Sequence, residues 1–339
     1  MSPPPEPAAG ERPAPGPEAP RRRKRRRSAL RHRSELALFR LATGALLLLP
    51  APAARRAAAA AARLALAIGS SRRRILIGNL TAAFPEKSSE EIEEIARRSI
   101  EGFAAGLVDF LEAGRLSAEE LRSRVSIAGE EHLAEARARG RGVFLLSAHF
   151  GSWEIAALAA GLMGEPIALL VRTLDNPLLE AELSRLRRRF GNRPIAKREA
   201  ARELLRTMAR NESVAILVDQ NVIPREAVFV PFFGRLAATT PALALLHLKT
   251  GASVVPVFMW PEGSGRYRME FERPILAEEF GGPEVDRDER VRRATARYMA
   301  VIEAAIRREP AAWLWIHDRW KSRPPEEIPS AASEAAGRA

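Results

Sequence analysis

The residues best suited to chemistry lie in the stretch "SAHFGSWE", residues 147–154, which places His149 and Glu154 five residues apart. The stretch follows the apolar run "GVFLLSA" and precedes "IAALAAGLMG", so it falls where a buried strand gives way to a helix. A carboxylate that accepts from one imidazole nitrogen fixes the tautomer and makes the other nitrogen a better base. The residues alone fit a catalytic His–Glu dyad and a structural histidine equally well.

The sequence lacks the residues that several other kinds of catalysis require. The 339-residue chain has no cysteine, which removes disulfides, thiolate nucleophiles and cysteine-based zinc sites. It also has no H-E-x-x-H motif, no G-x-S-x-G nucleophile turn and no glycine-rich phosphate loop after a strand. We therefore expect no metal site and no cofactor. What remains is general-base activation of a hydroxyl group on the substrate, which then attacks an activated acyl group.

The elements that position this stretch are short apolar runs alternating with helical segments. Strands are expected at 142–148, 166–171, 213–218, 227–232, 252–258 and 267–271. Helices are expected at about 152–163, 177–190, 198–210, 239–250 and 287–308, and a capping box of Ser88 and Glu91 begins an earlier one. This alternation predicts an α/β fold with a largely parallel central sheet flanked by helices. Ligands gather at the carboxyl ends of such strands, where His149 lies.

The basic charge is concentrated at the N-terminus. Residues 1–33 carry ten Lys or Arg and three Glu, out of a net charge of +12 for the whole chain. This proline-rich segment has no apolar periodicity, and we expect it to be disordered. The basic run has no interleaved aromatic residues, so no nucleic-acid partner is expected, although a non-catalytic membrane- or nucleic-acid-binding protein that uses this tail is the alternative from another functional class.

An apolar segment, "LALFRLATGALLLLPAPAA", follows at 36–54. Its longest uncharged part is short of the roughly 20 residues that span a bilayer. Beside a basic cluster, such a segment favours association with an anionic membrane surface, and a buried core helix is the alternative. A monotopic anchor keeps the following domain on the cytosolic face of the inner membrane. We expect four regions: a tail (1–33), a membrane-associated helical segment (34–72), a catalytic domain (73–321) and a flexible C-terminal tail (322–339).

Several motifs together resemble a known family. "AHFGSWE" resembles the H-x4-D/E motif of glycerolipid-type acyltransferases, in its glutamate form. In the same order along the chain, six further blocks resemble those of the lipid A biosynthesis (late) acyltransferases, of the lauroyl and myristoyl transferase type. These are "ILIGNLTAAFP" (75–85), "VRTLDNPLLE" (171–180), "ILVDQN" (216–221), "VFVPFFGRLAATTPALALL" (228–246), "TGASVVPVF" (250–258) and "WLWIHDRWKSRP" (313–324). The resemblance covers roughly residues 36–324.

The resemblance implies that a fatty acyl chain moves from an acyl-carrier-protein or acyl-CoA thioester to a hydroxyl group of a membrane glycolipid, here a lipid A precursor. His149 is then the base, and Glu154 is its orienting and charge-stabilising partner. The residues that match the family's other functional positions are expected to bind substrate: Arg172, Arg187, Asp219, Gln220 and Arg319. Asp318 replaces the first of two basic residues that the family has at 318–319. The same dyad also suits another acceptor, such as a phosphatidylinositol mannoside, or water in a thioesterase side reaction.

Overall fold

The computed structural model describes residues 29–171, 173–196 and 200–324. Arg172 and most of the two predicted tails lie outside the described residues. Within them the helices are α1 (Ala29–Leu46), α2 (Ala51–Ile68), α3 (Ser70–Ala83), α4 (Ser89–Ala113), α5 (Ala118–Arg122), α6 (Glu130–Ala138), α7 (Trp153–Leu162), α8 (Pro177–Arg187), α9 (Ala200–Ala209), α10 (Ala242–Thr250) and α11 (Arg287–Arg308). The strands are β1 (Val125–Ala128), β2 (Val143–Ser147), β3 (Ile167–Val171), β4 (Arg193–Ala196), β5 (Ser213–Leu217), β6 (Val228–Phe232), β7 (Arg235–Thr239), β8 (Ser253–Gly263) and β9 (Arg266–Phe271).

Seven of the described strands form one sheet in the order β1-β9-β8-β2-β5-β3-β4. Every neighbouring pair in it is parallel except β8 and β9, which form an antiparallel hairpin. Helices cover both faces of the sheet, and along β2 successive side chains enter different cores. Phe144 and Leu146 belong to one apolar cluster, whereas Val143 and Leu145 belong to the other. This double burial explains why the strands read as continuous apolar runs, and it confirms the predicted α/β class.

The structure also corrects the predicted sheet. The run at 227–232 forms β6, which pairs only with β7 in a separate two-stranded hairpin. Proline cannot donate a ladder hydrogen bond, so Pro231 within this run argues against a central strand. The short strands β1, β4 and β7 were not predicted, because four or five residues that are only partly apolar give too weak a pattern.

The N-terminal helices pack against the main domain. Helix α1 begins at Ala29, inside the segment predicted to be disordered, and Asn176 donates to the His32 carbonyl oxygen at 3.0 Å. Ser88 caps the N-terminus of α4, where the predicted capping box with Glu91 is present. Among the described residues, no helix combines the length and the apolar character that a bilayer crossing requires.

Candidate active site

The sheet register brings two distant polar residues together. In the parallel pair β2–β5, Ser147 lies opposite Leu217. His149 and Asp219 each follow two residues later, so they emerge side by side at the same carboxyl edge of the sheet. Both were predicted as site residues, but the sequence did not predict that they touch.

The Asp219 carboxylate is hydrogen-bonded to both the side chain and the backbone of His149, and also to Trp313. His149 Nδ1 lies 2.9 Å from Asp219 Oδ1, and the His149 backbone N–H donates to Asp219 Oδ2, also at 2.9 Å. Trp313 Nε1 donates to the same Oδ2 at 2.8 Å. Because the carboxylate can only accept, Nδ1 carries a proton, and Nε2 of the neutral ring keeps its lone pair. This is the tautomer that a general base needs.

The charges of neighbouring groups also shift the pKa values of His149 and Asp219. Burial by itself lowers the pKa of His149, but the charge and hydrogen bond of Asp219, with a smaller contribution from Glu154, raise the pKa above its ordinary value. For Asp219, burial opposes ionisation, yet His149 and Trp313 lower the pKa of the carboxyl to about 2. The fully buried carboxylate therefore stays charged at neutral pH and makes the imidazole more basic.

Glu154 lies in the first turn of α7, and its carboxylate pairs with Arg187 and not with the imidazole. The carboxylate that contacts the imidazole is that of Asp219, while Glu154 accepts two hydrogen bonds from Arg187, with Nε donating at 2.9 Å. Helix α7 begins at Trp153, so the Glu154 side chain projects from its first turn toward the end of α8, which carries Arg187. Burial lowers the pKa of Arg187, but this carboxylate outweighs it and the pKa is raised. Glu154 thus acts on His149 through its charge.

The turn between His149 and α7 requires glycine. Gly151 has φ of +56°, and a Cβ there would lie 1.7 Å from the Met259 carbonyl oxygen of β8. No L-residue fits that approach without moving the backbone. This close packing fixes the chain directly after His149 and explains the glycine within "HFGSWE".

Gln220 and Trp153 both contact the His149 ring. The Gln220 amide nitrogen lies 3.1 Å from His149 Nε2. The Trp153 ring packs edge-on against the imidazole at 4.9 Å between centroids and stacks on Phe103. His149 remains about one-fifth exposed and lines a cavity of about 330 Å³. The His149 side chain therefore borders a cavity that is open to a small molecule.

Arg319 is fully buried in the structure. Its guanidinium donates to the Ala238 carbonyl oxygen at 2.6 Å and to the Thr239 hydroxyl oxygen, and it lies over the Phe232 ring. Burial lowers its pKa to about 10. These contacts tie the β6–β7 hairpin to the C-terminal segment. Arg172, as noted, lies outside the described residues.

Trp313 is the residue at this site that sequence reasoning did not assign. Its side chain is buried, and its indole N–H donates to Asp219. The two residues lie 94 positions apart. Trp313 lies in the segment after α11, outside the named strands, so only the three-dimensional fold could have linked the two residues.

Comparison with known proteins identifies the family of the chain. The chain matches the family described as bacterial lipid A biosynthesis acyltransferase over residues 23–322. It is 30% identical to the lipid A biosynthesis lauroyltransferase of Escherichia coli K12 over 273 residues, 79% of this chain and 84% of the relative. The myristoyltransferase of the same organism is 29% identical over 76% of this chain and 78% of the relative, and its palmitoleoyltransferase is 29% identical over 75% and 80%. The chain belongs to the bacterial lipid A biosynthesis acyltransferases and is an acyltransferase.

Proposed function

We propose that this protein transfers a fatty acyl chain from a thioester of acyl-carrier protein or CoA to a hydroxyl group of a lipid A precursor, with His149 as the general base. The observation that carries this proposal is the Asp219–His149 pair, which holds Nε2 unprotonated beside the cavity. The three relatives above are named as lauroyl, myristoyl and palmitoleoyl transferases of lipid A biosynthesis, and this supports both the acyl group and the acceptor.

The reaction needs one proton carrier and no enzyme-bound acyl group. The acceptor hydroxyl replaces Gln220 at Nε2 of His149, gives up its proton and attacks the thioester carbonyl carbon. The resulting tetrahedral oxyanion collapses, an ester forms and the C–S bond breaks. The leaving sulfur then takes the proton from Nε2, which restores the neutral imidazole. General-base assistance of this kind contributes about 10²- to 10⁴-fold.

The first turn of α7 is suited to stabilising the tetrahedral oxyanion. Ser152, the residue before this helix, forms no side-chain cap. The backbone N–H groups of the first turn of a helix point away from its body and favour negative charge. We assign the stabilisation of the tetrahedral intermediate to this turn, which follows His149 by only a few residues.

Glu154 and Arg187 have a supporting role in this scheme. The ion pair fixes the guanidinium with two hydrogen bonds at the edge of the site. Arginine in such a fixed orientation suits a phosphate-bearing acceptor, and lipid A precursors are polyanionic. The Glu154 carboxylate also raises the pKa of His149. For Arg172 the proposal keeps the binding role that the resemblance implies, whereas the buried contacts of Arg319 favour a role in holding the β6–β7 hairpin.

We place the enzyme on the cytosolic face of the inner membrane. Around the junction of α1 and α2, several leucines are exposed to solvent: Leu38, Leu41, Leu48 and Leu49. Exposed apolar groups beside a basic segment fit shallow insertion into an anionic leaflet, which attracts each Lys or Arg by about 1 kcal/mol. This orientation gives the site access to a cytosolic thioester and a membrane-held acceptor together.

The experiment that tests the proposal crosses donors with acceptors. Membranes containing the wild-type protein receive acyl-carrier-protein or CoA thioesters, together with a lipid A precursor or a phosphatidylinositol mannoside. Mass spectrometry then identifies the acylated product, with membranes containing His149→Ala as the background. We expect a product only with the lipid A precursor. A product only with the mannoside would show that the acceptor is not a lipid A precursor. The absence of product with both acceptors would overturn the proposed function.

A further inference from the structure

The cavity beside His149 runs along one face of α4. Its walls come from α4, the turn before α7, the β8–β9 hairpin and the segment 309–314. From Ser99 to Asp109 the α4 residues that line it cover about 15 Å of helix, at about 1.5 Å per residue. Phe103, stacked on Trp153, places His149 beside the middle of this face.

Two glycines, one helical turn apart, form the central part of that wall. Gly102 and Gly106 both line the cavity. A Cβ added at Gly102 would meet nothing within 4 Å, and one added at Gly106 would lie 3.4 Å from Ser152 Oγ. Glycine lowers the stability of a helix relative to alanine. At these two positions it leaves space in the cavity that any side chain would fill.

A buried polar cluster closes the wall beyond Gly106. Asp109, which is 3% exposed, accepts from Arg55 Nη1 of α2 at 2.7 Å and from the Tyr267 hydroxyl of β9 at 2.5 Å. Arg55 also donates to the Ser264 carbonyl oxygen at the tip of the β8–β9 hairpin, at 3.3 Å. An apolar chain that advanced into this cluster would separate a buried charge from its partners, which is strongly unfavourable.

We propose that Gly102, Gly106 and the Arg55–Asp109–Tyr267 cluster set the length of the acyl chain that the enzyme transfers. This inference rests on the proposed function. The lining includes glycine, alanine and aromatic side chains, which suit a hydrocarbon chain, together with Arg266 and the Arg98–Glu309 ion pair. Gly106 lies at the closed end of the cavity, next to Ser152, and Gly102 lies one turn nearer the middle of the cavity.

The test is the chain-length profile of the transfer reaction for Gly106→Ala and Gly106→Val. A series of saturated acyl thioesters is offered with one lipid A precursor, and kcat/KM is measured for each length. We expect the longest good substrates to lose about 10- to 200-fold for each methylene that no longer fits, while shorter chains keep their wild-type rates. Gly102→Ala should move the limit to still shorter chains.

Gly78 in α3 provides the matched control. It is also a helical glycine with nothing within 4 Å of an added Cβ, but it does not line the cavity. Gly78→Ala should leave the profile unchanged. A second readout is equilibrium binding of the same thioesters to His149→Ala and to the double variant His149→Ala, Gly106→Ala, in which the affinity limit should shift without turnover.

Three results would overturn the inference, and they differ from one another. An unchanged profile in the Gly106 and Gly102 variants, with normal transfer by the wild type, refutes the length assignment and leaves the proposed function standing. An equal loss at every chain length shows that the glycines serve packing alone. The absence of acyl transfer by the wild type removes the proposed function and this inference together.

Discussion

Asp219→Asn separates the charge of this side chain from its shape. The amide oxygen of asparagine must stay at the Oδ2 position, because two N–H groups point there, from the His149 backbone at 2.9 Å and from Trp313 at 2.8 Å. The NH₂ group then faces Nδ1 of His149 at the Oδ1 position. Since that group can only donate, Nδ1 must accept, and the ring proton moves to Nε2. The base is lost while the packing is preserved.

The size of the expected fall in kcat follows from this change of tautomer. Loss of general-base assistance predicts a fall in kcat of about 10²- to 10⁴-fold. Asp219 also raises the pKa of His149, and the base works unprotonated, so wild-type activity should rise with pH through a pKa above the ordinary 6.5. In the variant, the residual activity should rise through a lower pKa. Transfer rates across pH, measured by product mass, give both quantities.

Asp288→Asn is the matched control, since Asp288 is exposed in the first turn of α11. It should keep the wild-type rate and pH profile, and thermal unfolding should show that Asp219→Asn remains folded. If Asp219→Asn transferred acyl chains at close to the wild-type rate with an unshifted profile, the pair would not generate the base. The reasoning from the tautomer would then be refuted.

Three further changes have distinct expected outcomes. Gly151→Ala should destabilise the fold by more than about 1 kcal/mol, measured by thermal unfolding, because its Cβ would lie 1.7 Å from the Met259 carbonyl oxygen; wild-type stability would contradict that packing. Arg187→Lys keeps the charge but loses the paired hydrogen bonds to Glu154, so kcat/KM for the lipid A precursor should fall at least tenfold, whereas Arg185→Lys, on the exposed face of α8, should have no effect. Deletion of residues 1–28 should weaken sedimentation with anionic vesicles while detergent-solubilised acceptor is still acylated; loss of the chemistry as well would favour a functional role for the tail.

Much of the architecture could be predicted from local pattern. The buried strands β2, β3, β5 and β8 are continuous apolar runs because both faces of the sheet are covered, and such runs are visible in the sequence. The helix α7 and the location of His149 at a strand end followed from the same pattern. The antiparallel pairing of β9 and the separate β6–β7 hairpin did not, because a period of two residues does not specify a partner strand.

The contacts within the site also could not be predicted, because local sequence pattern does not specify which strands are neighbours. His149 and Asp219 could each be placed at a strand end, but their contact depends on β5 being the neighbour of β2 across 70 residues of chain. Without that order, Glu154 was the nearest carboxylate in sequence, and it was given the contact with the imidazole. The Arg55–Asp109–Tyr267 cluster was missed for the same reason, since its members come from α2, α4 and β9.

The central claim, that His149 activates the hydroxyl of a lipid A precursor, is tested most directly by single-turnover acyl transfer with purified wild-type protein, His149→Ala and His132→Ala. His132, in α6, is a second histidine away from the site. We expect His149→Ala to lose at least about 10²-fold in rate while folding normally, and His132→Ala to keep the wild-type rate. Transfer by His149→Ala at the wild-type rate would contradict the claim.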